Sequence, residues 1–224
     1  MKKIFVFVLA AFLCASVFAL DDEDDSRNFD VEDEFSNEFW ITNRNIGFGV
    51  PIIISKNSSA NGGIKDIGGS LSYKEQHVYW PNGFVFQFEA AQGGLIKQGV
   101  CYEDNFQIGF GYAFVSNNRA VVTLAGIIGS YDSFFFRGDL KSFDLAITAT
   151  FVIGLDFSAT VRLSEHLGLF ISALVETPLI GTAFGGSASN VDGNVSAEAS
   201  SNILIPGDFF YIKPSIGLSL TFGD

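Results

Sequence analysis

From Phe143 to Leu163 every second residue is apolar: Phe143, Leu145, Ile147, Ala149, Phe151, Ile153, Leu155, Phe157, Ala159, Val161 and Leu163. Between them stand Asp144, Ala146, Thr148, Thr150, Val152, Gly154, Asp156, Ser158, Thr160 and Arg162. A period of two puts the two sets on opposite faces of an extended strand, whereas a helical period would scatter both around a cylinder. One face is therefore bulky and greasy, and the other is mostly small or polar.

The same alternation recurs along the chain. Strand one spans about Phe39 to Ser55, with Trp40, Ile46, Phe48, Val50, Ile52 and Ile54 in one phase and Pro51 marking a bulge or an end. A second strand, about Ile67 to Val78, carries Ile67, Leu71 and Tyr73 on one side. Trp80-Pro81-Asn82-Gly83 is a turn signal. It leads into a third strand with Phe84, Phe86, Phe88 and Ala90 in phase. The fourth has Phe106, Ile108, Phe110, Tyr112 and Phe114 opposite Gln107, Gly109, Gly111 and Ala113. Ser116-Asn117-Asn118 turns it into a fifth, Ala120 to about Tyr131. The sixth strand, 143–163, reverses at Ser164-Glu165-His166 into a seventh with Leu167, Leu169, Ile171, Ala173 and Val175 in phase. The eighth places Phe210, Ile212, Ile216, Leu218, Leu220 and Phe222 opposite Tyr211, Lys213, Ser215, Gly217, Ser219 and Thr221.

Two regularities identify the solvent of the bulky face. Connections after strands two, four and six read as tight turns, and those after three, five and seven as longer loops, the last running from about Thr177 to Gly207. Short turns on one side and longer loops on the other, with an even strand number, describe an up-and-down transmembrane β-barrel. The second regularity is the placement of charge. Glu89, Asp144, Asp156, Arg162, Glu176 and Lys213 all fall on the face opposite the bulky one. An Arg or Lys facing lipid costs roughly 2–4 kcal/mol at the bilayer midplane, so charges belong inside. A secreted soluble barrel is the rival architecture. Its second face would have to satisfy water with many charges, whereas here that face is rich in Gly, Ala, Ser and Thr, which suit the confined interior of eight strands. The expected fold is an all-β, antiparallel, eight-stranded transmembrane barrel over residues 39–224. Trp40, Trp80, Tyr112, Tyr131 and Phe209 are expected at its interfaces, and Arg44 is the one charge in the bulky phase of strand one.

The first 19 residues have the charged start (Lys2, Lys3), apolar middle and small-residue end of a secretory signal peptide, with cleavage after Ala19. Residues 20–38 form an acidic leader: 21–34 hold nine acids and one arginine, a composition expected to be solvated and disordered on the periplasmic side. The full chain carries a formal net charge of −12, and processing removes two lysines and no acid, so a nucleic-acid partner is disfavoured. Cys101 is the one cysteine outside the signal segment, which leaves no intramolecular disulfide framework.

Ser215 to Phe222 reads SIGLSLTF. This stretch resembles the C-terminal assembly signal of outer-membrane barrels, with Ser215, Gly217, Leu220 and Phe222 in its places and Gly223 and Asp224 as a departure after the aromatic. The whole organisation resembles small eight-stranded proteins of the OmpA, OmpX, OmpW and opacity type. The acidic leader and Phe-rich strands also resemble spirochaetal barrels of the Treponema kind. The resemblance implies an outer-membrane location in a diderm bacterium, surrounding outer-membrane lipid, and the barrel-assembly machinery as a partner in biogenesis.

No catalytic constellation is read. His77 and His166 are the only histidines, and no metal-protease, P-loop or dinucleotide signature occurs. No cofactor or metal is expected. The function expected is a surface protein whose exposed loops meet a host or cell-surface ligand. A narrow channel or carrier of small hydrophobic molecules, its lumen emptied by Gly109, Gly111, Gly154 and Gly217, is the alternative, and a soluble binding barrel stands behind it. Lys213 and Arg162 are expected to pair with some of the inward acids and plug the lumen.

Overall fold

The computed structural model describes residues 39–55, 64–80, 82–96, 100–116, 120–138, 142–164, 166–191 and 194–223. The expected signal peptide (1–19) and acidic leader (20–38) lie outside these residues. The chain forms strands β1 (Phe39–Gly49), β2 (Ile52–Ser55), β3 (Ile64–Trp80), β4 (Phe84–Leu95), β5 (Val100–Ser116), β6 (Ala120–Gly138), β7 (Ser142–Arg162), β8 (Leu167–Val191), β9 (Asn194–Leu204) and β10 (Phe209–Gly223).

Every pairing is antiparallel, and consecutive strands are neighbours from β3 to β9. The ring closes because β1 pairs with both β3 and β10, and β10 pairs in turn with β8. β2 continues β1 between the same two neighbours, β10 and β3. Val50 and Pro51 interrupt them: Pro51 has no N–H to give to a ladder, although its carbonyl still accepts from Gly68 N at 2.9 Å. β9 and β10 are likewise two parts of one path along β8, broken by the turn at 205–208. There Asp208 Oδ2 accepts from Ile205 N at 2.9 Å and Gly207 adopts φ +84°. Counting each interrupted path once, the barrel has eight strands.

The bulky phase faces out. Phe48, Leu71, Phe106, Phe110, Phe114, Phe151, Leu155, Ile216 and Leu218 are all exposed on the outer wall. The opposite phase is buried and polar: Asn43, Asn45, Ser72, Lys74, Gln76, Gln87, Glu89, Gln107, Thr123, Asp156, Ser158, Glu176, Lys213 and Ser219 fill the interior. This is the reverse of a water-soluble barrel, and only a lipid surround satisfies both faces at once.

Among the described residues, most of the long loops expected after the third, fifth and seventh strands are strand instead. β5 begins at Val100, β6 runs to Gly138, and residues 177–204 form most of the β8–β9 hairpin. Cys101 accordingly sits in β5, in register with Leu95. About 9–11 residues suffice to cross the hydrocarbon, yet β7 has 21 residues and β8 has 25. On β8 beyond Leu179 the apolar alternation stops while backbone pairing goes on, whereas β7 keeps Phe143, Leu145 and Ile147 in phase to its start. A bulge at Leu179, where the register passes from Val152↔Pro178 to Phe151↔Ile180, moves the outward phase of β8 from odd to even residues.

Candidate functional site in the barrel lumen

Stepping along β3 and β4 from the turn that joins them, the inward pairs are Val78 with Val85, Gln76 with Gln87, and Lys74 with Glu89. The first layer is apolar. Ile41, Val78, Val85, Ala113 and Val121 pack together and close that end of the lumen.

The next layer is a hydrogen-bonded amide and hydroxyl cluster. Gln76 Nε2 lies 3.0 Å from Gln87 Oε1, 2.9 Å from Thr123 Oγ1 and 3.2 Å from Ser158 Oγ, and the two hydroxyls are 2.8 Å apart. Above it sits a charged quartet. Lys74 Nζ donates to Asp156 Oδ2 at 2.6 Å and stands 3.4 Å from Glu89 Oε2, while Lys213 Nζ reaches Glu89 Oε1 at 2.5 Å. Gln87 Nε2 also donates to Asp156 Oδ2, at 2.6 Å. Two lysines and two carboxylates balance in charge, which lets all four be buried together where a lone ion would be costly.

Beyond the quartet, Glu176 accepts amide hydrogens from Asn105 and Gln107, each at 2.5 Å. Glu103 accepts from Tyr211 Oη at 3.2 Å. Tyr211 packs on Tyr131, which packs on Phe209, with ring centres 5.0 and 5.7 Å apart. Over these rings opens a cavity of about 220 Å³ whose wall includes Ile53, Leu95, Phe135 and Leu204 with Lys65 and Asp66 at its polar side.

Of the expected lumen charges, Glu89, Asp156, Glu176 and Lys213 lie in this core, all buried. Two do not join it. Asp144 is exposed on the outer extension of β7, in register with Arg137. Arg162 is half-buried at the other end of the same strand, beside the turn to β8. Six residues of strand separate it from Asp156, roughly 20 Å at the usual rise, so lysine alone supplies the quartet's cations. Lys74 is the partner that the sequence reading missed. Its parity with Ser72 and Gln76, opposite Leu71 and Tyr73, marked it as inward. Tyr131 and Phe209, expected at the membrane interface, are buried in the lumen, whereas Trp40 and Tyr112 are exposed on the outer wall.

Glycines do not empty the interior. Phe170 is buried, and its ring occupies the space of two missing side chains: a Cβ on Gly47 would come within 2.4 Å of Phe170 Cζ, and one on Gly217 within 2.6 Å of its Cε1. Gly217 is thus a packing position as well as part of the terminal-strand pattern. In that pattern Ser215 is buried, while Leu220 and Phe222 are exposed on the outer wall. Phe222 lies parallel to His166 at 6.4 Å and under the Arg44 guanidinium at 5.2 Å.

Charge does stand on the outer face at β3, the strand whose alternation is weakest in sequence. Glu75 and His77 share the outward phase with Tyr73, and Glu75 accepts from Arg44 Nε at 3.3 Å and from Tyr73 Oη at 2.6 Å. Among the described residues no cluster of three or more His, Cys, Asp or Glu side chains is arranged to hold a metal ion.

No protein-family model matches the sequence, and no curated protein matches it. Solved structures do match by shape. Neisserial surface protein A aligns at 11% identity over 83% of this chain and 99% of its own, with a TM-score of 0.44. Ail, the attachment invasion locus protein of Yersinia pestis, aligns at 11% over 81% and 98%, TM-score 0.45. A major outer membrane protein from Thermus thermophilus aligns at 11% over 80% and 99%, TM-score 0.46. The chain is similar in shape to these small outer-membrane barrels, and its own closed ring, apolar wall and polar core are those of a transmembrane β-barrel.

Proposed function

We propose that this protein is an outer-membrane surface anchor: a sealed barrel that holds a projecting sheet outside the membrane for contact with a host or cell-surface ligand. The observation that carries this reading is the β8–β9 hairpin. Residues 181–191 of β8 and Asn194–Leu204 of β9 extend beyond the level where β10 pairs with β8, and among the described residues β9 pairs with β8 alone. Exposed strand edges are templates for partners. Ser196 to Asn202 is exposed throughout, with small and polar side chains that leave the backbone accessible.

The sealed lumen supports an anchor over a channel, since the valine layer, amide cluster and ion quartet occupy successive levels of the bore. The short connections from β3 to β4, β5 to β6 and β7 to β8 belong at the periplasmic end in this reading, and the extensions at the cell surface. The test is to shorten the hairpin by joining Gly181 to Leu204 through a two-residue turn. The reading expects an intact heat-modifiable barrel in the outer membrane and lost binding of cells to a host-cell or matrix-coated surface. Undiminished binding by the shortened protein would overturn it.

A second reading has one observation in its favour. The 220 Å³ cavity at the mouth is walled by Ile53, Leu95, Phe135 and Leu204 over a tyrosine floor, a setting for a small apolar molecule. Extraction of the purified barrel and mass spectrometry of what it releases would test that role; a Leu95→Trp variant that releases the same molecule in the same amount would dismiss the cavity as its seat.

A further inference from the structure

The outer wall carries one polar row where lipid would be expected to find only hydrocarbon. On neighbouring β1 and β3, Thr42 faces His77 and Arg44 faces Glu75 in register. Thr42 Oγ1 lies 3.1 Å from His77 Nδ1, His77 Nε2 lies 3.2 Å from Glu75 Oε1, and Glu75 Oε2 takes the Arg44 Nε–H. The row sits low on the barrel, three residues before the end of β3 at Trp80. Higher on the same strands the outward residues turn apolar: Ile46, Phe48 and Leu71. This is the rim of the apolar band, where an outward charge costs about 0–1 kcal/mol instead of the midplane penalty.

The row forms the floor of an open groove. Trp40, Phe84, Phe86, Phe110 and Phe222 supply its rings. His77 stacks on Phe86, Phe86 lies 5.3 Å from Phe110, and Trp40 meets His77 edge-on. Arg44 is held from two sides, by Glu75 and by the ring of Phe222, and its side chain is 50% exposed. Those contacts engage Nε and one guanidinium face, and a guanidinium has four further N–H donors in a fork that matches a phosphate. A preset cation at headgroup level, flanked by aromatic walls at acyl-chain level, is complementary to one kind of neighbour.

We infer that this groove is a specific seat for a phosphate-bearing lipid of the leaflet at the turn end of the barrel. Arg44 binds the phosphate, and the Phe84, Phe86 and Phe110 rings hold the upper acyl chain. Glu75 is a positioning residue: it fixes the guanidinium and prevents it from folding back on the wall. The site lies on the opposite end of the barrel from the β8–β9 hairpin and stands independently of the anchor reading.

The test is native mass spectrometry of the full chain released from detergent and titrated with dioleoyl phosphatidylglycerol, with dioleoyl monogalactosyl diacylglycerol as a phosphate-free lipid with the same diacylglycerol body. A single retained phosphatidylglycerol adduct is expected, with little galactolipid retention. Arg44→Gln should weaken the adduct about tenfold or more, the loss expected for a charge-assisted hydrogen-bonded pair. Phe86→Ala keeps the charge and serves if Arg44→Gln does not fold; it should weaken the adduct severalfold. Equal retention of both lipids, or an adduct undiminished in the folded variants, would overturn the assignment.

Discussion

Lys213 of β10 and Glu89 of β4 stand on strands that are not neighbours in the ring, 124 residues apart in sequence, and meet at 2.5 Å across the lumen. Their contact ties opposite walls together, which backbone ladders between adjacent strands cannot do. It also makes Glu89 the centre of the quartet, since Lys74 reaches its other oxygen.

Replacing Lys213 by Met leaves Glu89 with one cation. The unfolding free energy in detergent should fall by about 3 kcal/mol, toward the low end for breaking a buried pair because Lys74 stays in place. Urea titration followed by cold and heated electrophoresis measures this. Lys213→Met combined with Glu89→Gln should recover part of the loss, because the uncompensated charge is gone. An unchanged midpoint in the single variant would contradict the pairing.

Gly47 exists to admit Phe170. Gly47→Ala should destabilise the barrel by about 1–3 kcal/mol through overpacking, and Phe170→Leu in the same chain should relieve most of that. The same urea titration reads both, and a Gly47→Ala barrel as stable as the parent would remove the steric argument.

In planar bilayers the protein should show no steady conductance. Lys74→Ala together with Gln87→Ala should still not conduct, because Ile41, Val78, Val85 and Val121 close the bore below that level. Adding Val78→Gly and Val85→Gly to that pair should open measurable current. Conductance by the unaltered protein would refute the layered seal.

Phe222 separates assembly from stability. Its ring contributes contacts to Arg44 and His166 worth about 0.5–1 kcal/mol at an exposed site, so Phe222→Ala should refold in detergent with a slightly lower midpoint. If the terminal strand is read by the assembly machinery, the amount of folded protein in cells should drop severalfold. Equal levels in cells would leave Phe222 a wall residue only.

Much of the barrel was legible because alternation survives wherever one face meets lipid and the other a packed lumen. β4, β5, β7 and β10 could be phased residue by residue, and Glu89, Asp156, Glu176 and Lys213 were inward by parity alone. Legibility ended where that contrast ends. On β8 beyond Leu179 and along β9, Gly, Ser, Ala and Asn see water on both sides, so a projecting hairpin read as a loop. On β3 the outward Tyr73, Glu75 and His77 blurred the pattern, which hid Lys74 on one face and the Arg44–Glu75 row on the other.

The sequence by itself determined the fold class and the sidedness of each clear strand, because parity is a local property that needs no register. Which charges meet was decided only in three dimensions. Strand tilt and register choose that Lys74 finds Asp156 and Lys213 finds Glu89, while Asp144 and Arg162, of the same parity on the same strand, are carried to opposite ends. Parity sets the face; height along the barrel axis, which depends on every other strand in the closed ring, sets the partner.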